Sequence, residues 1–283
     1  MVKTIFKMLL AVVFYLVLFI VSTALLPFSQ GFKELGSSGN SMSLIFFLIS
    51  SAWTCFSICF VIKHTDYYGK KLFFNLLFVF FFVQYFMTQI ETLFFGHAFT
   101  VLTKFDIILL MLAGLFPLLG STALLVKFFQ NKKAIYKEVK INIKDILIKL
   151  GIIGVIYLCI YMLFGYFVAW QFEDLRIFYS GSSEKLSFWG QMANNIKSNP
   201  VIIPFQILRG ILFGAAIIPI KRMINKSKFI FILSVCLIYL CTAIVLIIPN
   251  VLFPDMVRIA HLFEMSSSML LFGIIVGNIL WVL

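Results

Sequence analysis

The chain has 283 residues, 62% of them hydrophobic and 12% charged, with a mean hydropathy of +1.08 and a formal net charge of +12. Soluble domains are about 25% charged, so this composition excludes a soluble globular domain and makes lipid the solvent for most of the surface. The basic residues sit in short runs between apolar segments, as membrane topology requires, and form no folded basic face of the kind that binds nucleic acid.

The first apolar run covers 5–26 and follows Lys3 and Lys7. It starts like a signal peptide, but it exceeds the usual h-region of ~7–15 residues and no small-x-small cleavage site follows. It reads as a retained helix. A polar loop rich in Gly and Ser leads to the second run, 44–62, which a basic turn from Lys63 to Lys71 closes. The third run, 72–95, is Phe-rich until Gln84. Gln84, Thr88 and Glu91 then step by four and three, which places them on one helical face. At about 1.5 Å per residue, Glu91 lies some 29 Å from Leu72, at the far boundary of the membrane.

The fourth run is 107–126, with Pro117 near its middle, a kink that membrane helices tolerate. The stretch 127–149 is the most basic in the chain. Ile135, Val139, Ile143 and Ile146 recur there at helical spacing among lysines, the pattern of an interfacial helix on an anionic leaflet; a plain topology-setting loop is the competing reading. The fifth run is 150–170. It ends in aromatic residues mixed with charge, and a long external loop, 171–199, follows. The sixth run, 200–220, carries Gln206 and Arg209, then Gly210 and Gly214. The seventh is 229–248 and the eighth 257–281. In the eighth, Arg258, His261, Glu264 and Ser268 form one polar stripe.

The fold expected is therefore an all-α integral membrane protein, a bundle of about eight transmembrane helices forming one domain. Lys and Arg set its orientation. With the N-terminus inside, sixteen of the 23 basic residues lie on the inner side and six outside, with Arg209 inside the membrane. This is the positive-inside pattern, and it puts both termini in the cytoplasm. The five cysteines, Cys55, Cys59, Cys159, Cys236 and Cys241, all sit in apolar runs, without a disulfide framework or metal spacing.

With that topology, four runs bring polar groups to one slab under the external surface. They are Glu91; Gln171, Glu173 and Arg176; Gln206 and Arg209; and Arg258, His261 and Glu264. An arginine near a helix centre costs about 2.5–3.5 kcal/mol on translocon scales, so Arg209 is expected to take a carboxylate partner, Glu91 or Glu264. Read functionally, these residues line an outward polar pocket. Arg209 holds an anionic group, Glu91 or Glu264 exchanges a proton, and His261 is of the residue type that titrates near neutral pH. Read structurally, the same ion pairs only lock the bundle, and Glu91, Arg176 and Arg258 are simply solvated at the interface.

His261-x-x-Glu264, with Glu91 and His97, also offers an N/O donor set for a metal, on weak spacing. No phosphate-binding Gly loop, Ser-centred nucleophile elbow or aspartate-rich diphosphate motif is present, nor the rhomboid-type or CAAX-type protease motifs. No cofactor is expected.

Trp170-Gln171 with Arg176 and Tyr179, Gln206-x-x-Arg209-Gly210 and His261-x-x-Glu264 together resemble a pattern in an uncharacterised family of prokaryotic polytopic membrane proteins, over about the last 120 residues. The resemblance implies an architecture and supports the candidate residues without naming a reaction. Three functions stay open. The first is a small-solute carrier, proton-coupled or not, or a solute-binding protein. The second is an intramembrane enzyme acting on a lipid or peptide with His261 and Glu264 as acid-base pair or metal ligands. The third is a non-catalytic scaffold. The partners expected are the lipid bilayer of a prokaryotic cell membrane and a small-molecule or lipid ligand.

Overall fold

The structure, a computed structural model, describes residues 2–37, 43–99, 101–131, 142–250 and 252–282. Among these residues every regular element is helical and no strand occurs. In chain order they are α1 (Val2–Leu25), α2 (Gln30–Ser37), α3 (Ser43–His64), α4 (Gly69–Phe81), a π-helical turn (Phe82–Phe86), α5 (Met87–Phe94), α6 (Lys104–Phe129) and α7 (Ile143–Phe167). Then come α8 (Glu173–Ser180), α9 (Phe188–Ser198), α10 (Ile202–Met223), α11 (Lys228–Ile244) and α12 (Asp255–Trp281). Eight helical segments are long and apolar enough to cross a membrane: α1, α3, the continuous Gly69–Phe94 segment, α6, α7, α10, α11 and α12.

Each expected run coincides with one of these eight. The largest displacement is in α7, which begins at Ile143 rather than near 150. Asn142 caps it by accepting from the Lys144 amide, and Asp145 suits the positive end of the helix dipole. Ile143 and Ile146, assigned from sequence to an interfacial helix, therefore belong to the first turns of α7. Ile135 and Val139 lie outside the described residues. The 171–199 loop is itself mostly helical, as α8 and α9.

The radial polarity is that of a protein in lipid. Phe6, Phe74, Leu147, Leu208 and Phe263 are exposed, whereas Gln206, Arg209, Asp106 and Glu264 are buried. A water-soluble fold reverses this order; here hydrocarbon solvates the outward side chains and the polar groups find one another inside.

Without a hydrophobic drive between helices, close backbone approach does the packing. A Cβ on Gly210 would stand 2.8 Å from the Gly154 Cα and 2.5 Å from the Tyr157 Cβ, so α10 crosses α7 almost backbone on backbone. Gly273 and Gly277 play the same part for α12 against Cys236 and Ile232 of α11.

Two devices near the first helix repair polar groups that would otherwise be orphaned. Pro117 has no N–H to give the Ala113 carbonyl one turn back, and the Ser22 hydroxyl of α1 donates to that carbonyl instead, at 3.0 Å. At the start of α6, Thr103 and Asp106 form a capping box. Asp106 also accepts from the Ser29 amide (2.8 Å) and hydroxyl (2.7 Å), which ties the α1–α2 connection to α6.

Eight crossings return the chain to the face it started from. Contacts on that face join both ends of the chain to the turns between helices. Lys7 lies over Phe128 and Phe129, and Lys63 over Phe129. Lys226 pairs with Asp66, and Lys221 donates to the Trp281 carbonyl. The opposite face carries the described residues of the connections between α1 and α3, α5 and α6, α7 and α10, and α11 and α12. The candidate residues cluster beneath it.

Candidate functional site

The centre of the site is Arg209, about two turns into α10 and 1% exposed. Its guanidinium holds Glu91 of α5 through two parallel hydrogen bonds, Nη1 to Oε1 and Nη2 to Oε2, each 2.6 Å. Nη1 also donates to Gln206 Oε1 at 3.0 Å. The rings of Tyr157, Phe205 and Phe213 lie 5.5, 5.8 and 5.9 Å from the guanidinium carbon, within cation–π range. The two halves of the ion pair are unequally covered: the Arg209 side chain is 2% exposed and that of Glu91 28%.

Aromatic layers bound the pair above and below. One turn closer to the candidate-bearing face, Phe94 of α5 and Phe205 of α10 stack at 3.9 Å with their planes 4° apart. One turn toward the terminal face, Phe213, Tyr157, Phe272 and Tyr239 form a continuous ring cluster, and the Tyr239 hydroxyl donates to the Phe213 carbonyl.

The π turn explains where Glu91 points. On an unbroken α-helix Gln84 and Glu91 would share a face, as the sequence predicts. The extra residue in the Phe82–Phe86 turn rotates the helix beyond it. Gln84 meets Thr54 of α3 at 3.4 Å, while Glu91 reaches α10. The expectation of one common Gln84–Thr88–Glu91 face is thereby corrected. Tyr85, in the same turn, seats its ring over Gly114 of α6 and pairs its hydroxyl with that of Tyr15.

A second cluster sits beside the first. His261 Nε2 is 3.0 Å from the Tyr179 hydroxyl, and its Nδ1 is 3.7 Å from Glu264 Oε2. Glu264 is 8% exposed and forms no ion pair with Arg209 among the described residues. Burial, followed by the negative charge of Glu91 and Glu264, pushes the Tyr179 phenol up from its ordinary value, so it stays a protonated hydrogen-bonding group at neutral pH. Tyr157 and Tyr161 of α7 lie within electrostatic reach of Arg209, Glu91 and Glu264 together, and Tyr179 of both carboxylates. The two clusters thus share one tyrosine-lined region.

The remaining candidates are engaged elsewhere. Arg176 donates to the carbonyls of Ser183, Trp170 and Gln171, and so folds the α7–α8 connection back on itself. Gln171 donates to the Tyr166 carbonyl and accepts from Lys185. Arg258, placed by sequence on one stripe with His261 and Glu264, turns instead to the end of α11. It donates to the carbonyls of Leu246 and Ile247 and to Asp255. Ser268 donates to the Met265 carbonyl of its own helix, at 3.5 Å. The His97 side chain lies outside what is described. No three His, Cys, Asp or Glu side chains come together as a metal-holding group among the described residues, so His261, Glu264 and Glu91 do not form one ligand set here. A cleft of about 520 Å³ beside α2, at Phe28, Gln30, Lys33 and Glu34, includes none of the candidates.

Tyr157 and Tyr161 escape sequence reasoning because a tyrosine inside an apolar run is usually core. Asp106 escapes it too, although Thr103-x-x-Asp106 is a legible cap signal. No family model, no curated protein and no solved structure matches the chain.

Proposed function

We propose that the protein is a small-solute carrier or solute-binding protein of a prokaryotic cell membrane, with both termini cytoplasmic and its polar site opening toward the external face. The orientation rests on the concentration of Lys and Arg in the connections of the terminal face. The reading rests above all on one observation. The Arg209 side chain is sealed, while the Glu91 side chain paired with it is partly exposed. A pair whose only task is to lock helices gains nothing from an exposed half, whereas a binding site needs one. The aromatic layers on both sides of the pair support the same view, since a carrier must close its site to each face in turn.

The test is solute-driven flux into proteoliposomes containing the full chain and a trapped pH dye, screened with monocarboxylates, dicarboxylates, amino acids, sugars and inorganic anions. At least one class should move, and Arg209→Gln should abolish its movement in protein that still folds. If folded protein neither binds nor moves any of them, the reading fails and a structural bundle remains.

The Tyr179–His261–Glu264 contact supports a second reading, an intramembrane enzyme with His261 as acid-base group. It predicts that purified protein converts a lipid or membrane peptide, and that His261→Ala stops the conversion while leaving solute binding intact.

A further inference from the structure

We infer, resting on the carrier reading, that Arg209 and Gln206 form the docking point for a monocarboxylate, which displaces Glu91 as Glu91 takes up one proton. A guanidinium has five N–H donors. Glu91 accepts from two of them, and the Gln206 carbonyl takes a further bond from Nη1. That last bond fixes the Gln206 amide, because its NH2 end facing Nη1 would set donor against donor. The Nε of Arg209 and the Nε2 of Gln206 are then both buried with no acceptor among the described residues. Two such buried donors are costly; one belongs to the guanidinium itself and the other to the amide bonded to it, and the guanidinium fork has the planar geometry that fits a carboxylate.

Charge balance supplies the proton. One guanidinium neutralises one carboxylate. A second anion beside Glu91, walled by Tyr157, Phe205 and Phe213, would leave an uncompensated negative charge in a region of low dielectric. When the incoming carboxylate takes the guanidinium and the Gln206 N–H, Glu91 leaves as the neutral acid with a proton from the aqueous side. The net charge of the site is zero before and after, so solute and proton enter one to one. The partial exposure of the Glu91 side chain gives that proton a way in.

Other charged or titratable groups face Glu91. They are Arg209 on α10, Tyr157 and Tyr161 on α7 and Tyr179 on α8; Glu264 on α12, with His261 beside it, acts on the same tyrosines. Asp106 of α6 is closed on Ser29 and Thr103, and Lys104 is exposed and forms no ion pair among the described residues.

The test uses the full chain in detergent with formate and acetate as probes, and chloride, inorganic phosphate and sulfate at matched ionic strength. Thermal-shift titrations give apparent affinities between about pH 5.5 and 7.5, and an indicator dye in unbuffered solution counts protons. Formate and acetate should raise the melting temperature more than the other anions. Wild-type affinity should fall ~tenfold per pH unit as the pH rises through that range. One proton should be taken up per acetate bound. Glu91→Gln should bind acetate with no pH slope and no proton uptake. Failure of folded wild type to bind either carboxylate overturns the inference. So does a slope that persists in Glu91→Gln and vanishes in His261→Asn. If Glu91→Gln does not fold, the wild-type proton count decides: zero per acetate refutes, one supports. Binding with proton uptake but no flux in vesicles refutes the carrier reading alone. Flux that acetate does not inhibit refutes this inference alone.

Discussion

Two carboxylates lie beneath the same face of the bundle and are satisfied in opposite ways. Asp106 is fully buried and accepts from the amides and hydroxyls of Ser29 and Thr103, four hydrogen bonds from fixed neutral groups. The Glu91 side chain is partly exposed and, among the described residues, accepts only from one buried cation. Donors that belong to the backbone of two connections cannot turn to another ligand without unfolding them. A guanidinium can exchange one carboxylate for another at no change in charge. The contrast separates a carboxylate that builds the fold from one that the fold holds ready.

The most drastic way to break that contrast is Glu91→Ala. It leaves Arg209 buried and unpaired, and should cost about 3–5 kcal/mol in unfolding measurements. Added formate should restore part of the loss. Asp106→Ala removes a cap and an interhelical tie, and should cost about 1–2 kcal/mol with no rescue by formate. Equal losses, or equal rescue, would dissolve the distinction.

Gly210→Val drives a side chain into the Gly154 Cα and Tyr157 Cβ. It should cost about 1–3 kcal/mol and weaken acetate binding as well, because the same crossing places Arg209. Ser22→Ala orphans the Ala113 carbonyl and should cost about 1 kcal/mol, leaving binding untouched.

The smallest effect belongs to Tyr179. Its phenol binds its proton more tightly folded than unfolded. The stability it contributes is therefore full below about pH 10, the ordinary tyrosine value, and is lost as pH rises further. Tyr179→Phe should flatten the alkaline limb of the stability curve, and at pH 7 it should lower stability only by the loss of the partly buried hydrogen bond to His261.

Much of this architecture could be read from the chain. Runs of some twenty apolar residues announce themselves, and Arg209 in the middle of one required an acidic partner. Which acid it takes could not be read, because Glu91 and Glu264 lie at similar depth and the choice depends on helix rotation. Arg258 and Arg176, nearer the interface, are expected from sequence to line the same pocket as Arg209 or to be solvated. Their carbonyl partners come from helix ends whose folding no periodicity encodes. The tyrosines around the pair were hidden in the same way, as ordinary apolar-run residues until three helices bring them together.

The wide turn at Phe82–Phe86 has a consequence of its own. It acts as an indexing device, since one residue more or fewer there swings everything beyond it by about 100°. Removing Val83 would leave the Phe-rich half of that segment seated against its neighbours and carry the carboxylate of Glu91 off toward a different helix. In a bundle like this, a single-codon deletion could move a charge from one partner to another while hydropathy along the chain hardly changed.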